Sequence, residues 1–309
     1  MEQAASRRTR YALIGASALM CAALLWALTA VTATAKTSAS TGRGAPPVAA
    51  GSGYLALGDS VTFGYEEPTV VPAPDYHAAS SFLGYPEMLG AELRLRVANA
   101  ACPGETSSSL IRASAQSNGC ENVPGGSGVS YRKEFPLHVR YSGSQLAYAV
   151  AYLKAHPGVR LVSLMIGAND LFVCQETTAD GCASAAEQQQ VLKVIAKNVR
   201  TILSTIRTKA GYTGQLAIIN YYSLDYASPT ANAESSELNR TDDAAAKPFH
   251  VVIANAYRTF ARASAHSGND SCTAGLLTQL GSPGTCGVHP SYAGQALLAQ
   301  TLEGAITTR

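Results

Sequence analysis

Charge is scarce in this 309-residue chain: only 14% of its residues are Asp, Glu, Lys or Arg, low for a cytoplasmic globular protein. The formal net charge is +2, and no basic stripe runs through the body of the chain, which argues against a nucleic-acid partner. No Cys-x-x-Cys pair occurs, so the thiols do not have the spacing of a zinc cluster, and no acidic loop suits a calcium site. Internal repeats are missing, as is any composition shift that would mark a second domain. These absences leave a single metal-free, cofactor-free domain, expected as a monomer.

Long apolar runs are also scarce, with one exception. Residues 12–34 read ALIGASALMCAALLWALTAVTAT, preceded by Arg7, Arg8 and Arg10 and closed by small residues ending at Ala35. That pattern fits an export signal cleaved after Ala35. The run is long enough to serve instead as an uncleaved membrane anchor, leaving the rest of the chain at the outer face of the membrane. Residues 36–50 are rich in Ser, Thr, Gly, Pro and Ala and read as a flexible lead-in, so the folded domain is expected over residues 51–309.

Cysteine usage agrees with export. Cys21 lies within the apolar run; the other six are Cys102, Cys120, Cys174, Cys182, Cys272 and Cys286. Six exported cysteines suggest three disulfides among 15 pairings. Sequential loops, Cys102 with Cys120, Cys174 with Cys182 and Cys272 with Cys286, are the simplest.

Hydrophobic periodicity alternates between strand and helix. Buried strands are expected over residues 53–58, 95–98, 159–166 and 215–221, the third almost continuously apolar as a central parallel strand would be. Helices are expected over residues 82–94, 144–155, 186–209, 244–264 and 291–305. This order implies a three-layer α/β/α sandwich with a mainly parallel sheet.

Four short segments carry the chemistry. Ser60 follows the first strand in Gly58-Asp-Ser60, where a strand-to-helix turn exposes a hydroxyl. Gly104 lies in Asn99-Ala-Ala-Cys-Pro-Gly-Glu-Thr-Ser107, a loop whose backbone N–H can approach a developing oxyanion. Asn169, in Gly167-Ala-Asn-Asp170, follows the most apolar strand and can supply a side-chain amide at the same sheet edge. His289, in Cys286-Gly-Val-His-Pro290, precedes the last helix and can take the Ser60 proton. Taken singly, each has an ordinary reading: a helix cap, a turn glycine, an Asx cap, a surface histidine.

In order and local wording the four segments resemble the SGNH (GDSL-like) hydrolase family, particularly its secreted, disulfide-containing lipases and esterases, from about residue 53 to the C-terminus. The resemblance implies a flavodoxin-like α/β/α fold and hydrolysis of carboxylic esters through an acyl-serine. It implies Ser60 as nucleophile and His289 as base, with the backbone N–H of Ser60, Gly104 and Asn169 forming the oxyanion hole. The family's aspartate three residues before the histidine is here Cys286. The expectation is therefore that the Cys286 backbone carbonyl orients His289, with Asp270 or Asp225 as rival acids. Asp59 and Asp170 are expected to hold the turns beside the catalytic residues. Glu66 and Glu67 receive no role. Substrate stays open between a lipid or other small ester and an acetylated polysaccharide; a third reading is a binding module that kept the fold without the activity.

Overall fold

The computed structural model describes residues 44–309 apart from Ser127 and Pro283. The segment expected to act in export, and most of the expected lead-in, lie outside the described residues. Among the described residues, no helix is long and apolar enough to cross a membrane. The expected lead-in ends before residue 50. Val48 is buried, its N–H donates to Thr307 O at 2.9 Å, and its carbonyl accepts from Arg309 N at 3.0 Å. An apolar side chain next to a free backbone edge docks there because both its surface and its peptide groups find partners.

Five parallel strands form the central sheet: β1 (Gly53–Gly58), β2 (Arg96–Asn99), β3 (Val159–Met165), β4 (Gln215–Ile219) and β5 (Val252–Ala254). Their spatial order is β2-β1-β3-β4-β5. Leu55 and Leu57 of β1, Leu161 and Leu164 of β3, and Ile218 of β4 are buried. Each such side chain contributes about 2 kcal/mol by leaving water, which is why these strands read as apolar runs rather than as alternations.

Helices cover the sheet. The helix α10 (Tyr292–Ala305) packs against β5, α2 (Tyr85–Glu92) and α9 (Ala256–Ser264), and α2 also packs against β2. A second set packs around α7 (Ala185–Thr208): α3 (Ser107–Ile111), α5 (Gln145–Ala155), α6 (Ala168–Thr177) and α8 (Pro229–Ala246). Two short helices, α1 (Ser60–Phe63) and α4 (Tyr131–Glu134), sit in the loops. The strands β6 (Leu277–Gln279) and β7 (Cys286–Pro290) pair antiparallel outside the main sheet. This is the expected α/β/α sandwich with a mainly parallel sheet.

One expected element is corrected. Residues 244–264 are not a single helix. The helix α8 ends at Ala246, a short 3-10 turn holds Lys247–Phe249, and β5 follows before α9 begins. Pro248 lacks the N–H an α-helix interior needs, and His250 takes a left-handed φ of 52° that ends the turn. The Val251-Val-Ile253 run that follows is β-branched and suits a strand.

Three disulfides close local loops: Cys102–Cys120, Cys174–Cys182 and Cys272–Cys286. The first pins the loop after β2, and the third ties the start of the β6–β7 hairpin to β7.

Candidate active site

In this strand order the chain leaves β1 for β2 on one side and then crosses to β3 on the other. A crevice opens at that point, at the carboxyl ends of the strands. The turn after β1 carries Ser60, the loop after β2 carries Gly104, and the start of the helix after β3 carries Asn169. Topology alone therefore gathers three of the sequence segments at one edge.

The Ser60 turn is built by Asp59. Its carboxylate accepts the Val61 N–H at 3.0 Å, capping α1, and also the Tyr221 hydroxyl. Asn169 Nδ2 approaches the same carboxylate at 3.4 Å. Asp59 is 1% exposed, and burial raises its pKa to about 6 against the pull of its donors. The role of Asp170 is parallel. It accepts the backbone N–H of Ser107 at 2.8 Å and the Ser107 hydroxyl at 2.6 Å, fastening the loop after β2 to α6. Burial lifts it too to about 6.

Gly104 has φ of +80°, and a Cβ there would run into the Asn118 carbonyl. Only glycine suits that conformation and that space. The Gly104 carbonyl accepts from Asn118 N at 2.7 Å, and Asn118 Nδ2 donates to Asn169 Oδ1 at 3.0 Å. The Asn169 amide is thus held with its oxygen toward Asn118 and its NH₂ toward the Ser60 turn.

His289 enters from β7. Its Nε2 lies 2.9 Å from Ser60 Oγ. Its Nδ1 lies 2.8 Å from Glu67 Oε1, which corrects the expected orienting group. The partner of Nδ1 is the Glu67 carboxylate rather than the Cys286 carbonyl. Neither rival acid reaches it: Asp270 accepts from Thr273 N and Asp225 from Ala227 N, at 2.5 Å and 2.7 Å, as turn caps. The physical reason lies in the loop after α1. Val70 bridges to Leu280 beyond β6, which brings the Glu67 side chain across to β7. There Glu67 also accepts from the Thr278 hydroxyl at 2.5 Å and from Val288 N at 3.0 Å. The carboxylate sits where a Cβ on residue 287 would be, so Gly287 leaves the room it occupies. Partial burial works to raise the Glu67 pKa, but the His289 hydrogen bond and charge and the Thr278 bond outweigh it and hold the pKa at about 2. No periodicity marks Glu67; the only sequence signal was an acidic pair six and seven residues past the serine in a chain poor in charge.

A cleft of about 150 Å³ opens beside Ser60 and His289. Asn169 is among its lining residues, and Leu171, Phe172, Leu224, Leu238 and Val288 make its walls largely apolar. The Tyr65 ring packs edge-on to His289 at 4.9 Å between ring centres. With Nδ1–H donated to Glu67, Nε2 is left free to accept the serine proton.

A hydroxyl, an imidazole and a carboxylate linked in that order, beside an apolar cleft at a sheet switch point, define an enzyme of the hydrolase class with an α/β fold. Residues 56–297 match the GDSL-like Lipase/Acylhydrolase family, and the chain belongs to that family of ester-hydrolysing enzymes. No curated protein matches the chain by sequence. Among solved structures it is similar to an acetylxylan esterase, Axe2, from Geobacillus stearothermophilus, with 16% identity, TM-score 0.51, and 85% of this chain and 98% of that chain covered. A catalytic mutant of that esterase superposes with TM-score 0.53 at 16% identity, over 85% of this chain and 98% of the mutant. A protein described as a GDSL-like lipase, from Parabacteroides merdae, gives 16% identity and TM-score 0.51, covering 84% of this chain and 98% of that chain. At that identity these structures share the fold.

Proposed function

We propose that the protein is an exported esterase that cleaves carboxylic esters through an acyl-enzyme on Ser60. The observation that carries the proposal is the Ser60–His289–Glu67 line, with 2.9 Å and 2.8 Å steps. Ser60 Oγ attacks the ester carbonyl as His289 Nε2 takes its proton. Glu67 holds the neutral tautomer beforehand and stabilises the imidazolium once it forms. The backbone N–H groups of Ser60 and Gly104 and the Asn169 Nδ2 meet the negative charge on the carbonyl oxygen. Collapse of that intermediate expels the alcohol, which takes its proton from His289. Water then attacks the acyl-serine with His289 as base, releasing the acid and the free hydroxyl.

The apolar walls of the cleft suit the acyl portion of the substrate rather than a sugar. A volume of about 150 Å³ holds a group about the size of benzene, so acyl chains of short to medium length fit within the cleft. A second reading, removal of acetyl groups from a polysaccharide, is favoured by that same small volume. The acetylxylan esterase that shares the fold is named for such a substrate. Export rests on the N-terminal segment and the three disulfides.

Hydrolysis of an acyl-ester series from acetyl to palmitoyl, with Ser60→Ala alongside, tests both readings. Rates that peak at intermediate length and vanish in the variant support the esterase. Activity confined to acetyl selects the polysaccharide reading, and undiminished activity in Ser60→Ala removes the acyl-serine mechanism.

A further inference from the structure

Among the carboxyl groups that the mechanism leaves unused, one has no exposed surface and lies next to the oxyanion loop. Glu105 follows Gly104 directly, is 0% exposed, and points beneath the loop rather than into the cleft. Its Oε1 accepts the Ser109 hydroxyl. Ser109 Oγ is also the acceptor of Thr106 N at 3.0 Å, and the Thr106 carbonyl, at 3.3 Å, is a more distant alternative for its proton. The other oxygen, Oε2, receives Gln145 Nε2 at 3.1 Å and lies 3.5 Å from Cys120 Sγ. Cys120 is bonded to Cys102, so its sulfur carries no proton and can only accept. The Oε2–Sγ contact is a hydrogen bond only when Glu105 supplies the proton.

Gln145 extends the link. At the start of α5 and also 0% exposed, it accepts Gly58 N at 2.6 Å and donates to Gly58 O at 3.0 Å. Gly58 immediately precedes Asp59 and Ser60, and its carbonyl also accepts Cys102 N at 3.2 Å. Both peptide groups of the residue that leads into the nucleophile turn are therefore clamped by one side chain, whose remaining donor is given to Glu105. Through Glu105 the clamp reaches the residue next to Gly104.

We propose that Glu105 is a positioning residue that works as a neutral carboxylic acid, joining the Gly104 loop to the Ser60 turn through Gln145. The link is set to keep the Gly104 N–H and the Ser60 hydroxyl in register for the same carbonyl, a requirement where misplacement of about 1 Å costs about a hundredfold in rate. The charged surroundings of Glu105 do not favour its ionisation. Burial is the dominant influence and raises its pKa to about 8. Glu121 repels its charge, and Arg132, which attracts it, is itself paired with Glu121 and bonded to the carbonyls of Tyr141 and Gly143. Tyr141, the other titratable group facing it, donates its hydroxyl to Ala100 O at 2.9 Å and stays neutral in this range. Above about pH 8 a proton leaves Glu105, the Cys120 contact is lost, and an unpaired charge is left under the loop.

This inference rests on the acyl-serine reading, and the test separates the two. The kcat–pH profile of the whole exported domain is measured for the unaltered enzyme, Glu105→Gln and Glu105→Ala. The unaltered enzyme is expected to lose kcat above about pH 8, close to tenfold per pH unit, with KM little changed. Glu105→Ala lowers kcat at least about tenfold at all pH values. Glu105→Gln, neutral and of the same shape, restores most of that activity at pH 7 and flattens the alkaline limb. An unchanged alkaline limb in Glu105→Gln, or no rescue relative to Glu105→Ala, overturns the proposal. A carbon-13 titration of the Glu carboxyl groups in the unaltered protein needs no variant: a Glu105 signal already ionised at pH 6.5 overturns it as well. Failure of an active-site phosphonate to label Ser60 would instead sink the acyl-serine reading and leave the titration result standing.

Discussion

Glu67 is the residue where sequence and structure part most sharply. With Asp replaced by Cys three positions before His289, the nearest local acceptor was a backbone carbonyl, and that expectation followed from chain proximity. The carboxylate that reaches Nδ1 comes from 222 residues away. Its presence changes what a substitution does. Glu67→Gln removes the charge that stabilises the imidazolium, although its carbonyl oxygen can still take the place of Oε1, where the Val288 N–H donates. We expect kcat to fall by about a thousandfold or more with KM little altered, by analogy with loss of the orienting acid in a Ser-His-Asp triad. Steady-state kinetics of the purified variant check this. A kcat within a few fold of the parent would mean that a backbone carbonyl suffices after all. Ser60, Asn169 and His289, by contrast, were legible because each sits in a short segment whose wording survives without knowledge of the fold.

At the scale of elements, the β6–β7 hairpin does work that its five-residue strand β7 does not advertise. It carries His289, receives Glu67 across its Gly287, and is stapled by Cys272–Cys286. Gly287→Ala places a methyl group where the carboxylate sits. The expected result is a kcat at least about tenfold lower, from a displaced Glu67, with thermal stability much less affected. Parallel kinetics and thermal melts of the variant distinguish this from a general loss of folding. The central strands and the amphipathic helices α5 and α7 were readable within a residue or two, since burial on both faces or on one stripe leaves a direct trace in composition. The helix α8 was missed, and β5 was merged with α9. A strand of three residues buries too little to leave a pattern of its own. Ser228 and Pro229 are helix-start residues, but the Asn, Glu and Asp mixed through α8 leave it little apolar periodicity until its packing against α7 is known.

Across the whole molecule, the buried carboxyls set how stability follows pH. Burial raises Asp59 and Asp170 from 3.8 to about 6, Glu87 from 4.5 to about 7, and Glu105 from 4.5 to about 8. Between about pH 4 and pH 8 the folded state therefore holds more protons than the unfolded chain, and stability declines as pH rises through that window. Glu67 acts oppositely: its contribution is present above 4.5 and is lost as pH falls toward 2. The melting temperature is expected to be highest near pH 4 to 5 and to be lower by several degrees at pH 8. Calorimetry from pH 3 to pH 9 checks it, and a melting temperature that rises steadily to pH 8 would show that these groups are ionised at little cost.

The sequence by itself determined the α/β/α class and marked the short segments that bring Ser60, His289, Gly104 and Asn169 to one edge of the sheet. Those features are local: a strand's apolar run, a turn's residue types and a short segment's wording all lie within a few neighbours along the chain. Only the tertiary structure decided which carboxylate orients His289 and which buried acid lies beneath the Gly104 loop. It likewise decided that Val48 belongs to the fold. Each depends on side chains from distant segments meeting, through a bridge such as Val70 to Leu280 or a clamp such as Gln145 on Gly58. Contacts of that kind leave no mark in the spacing of residues along the chain.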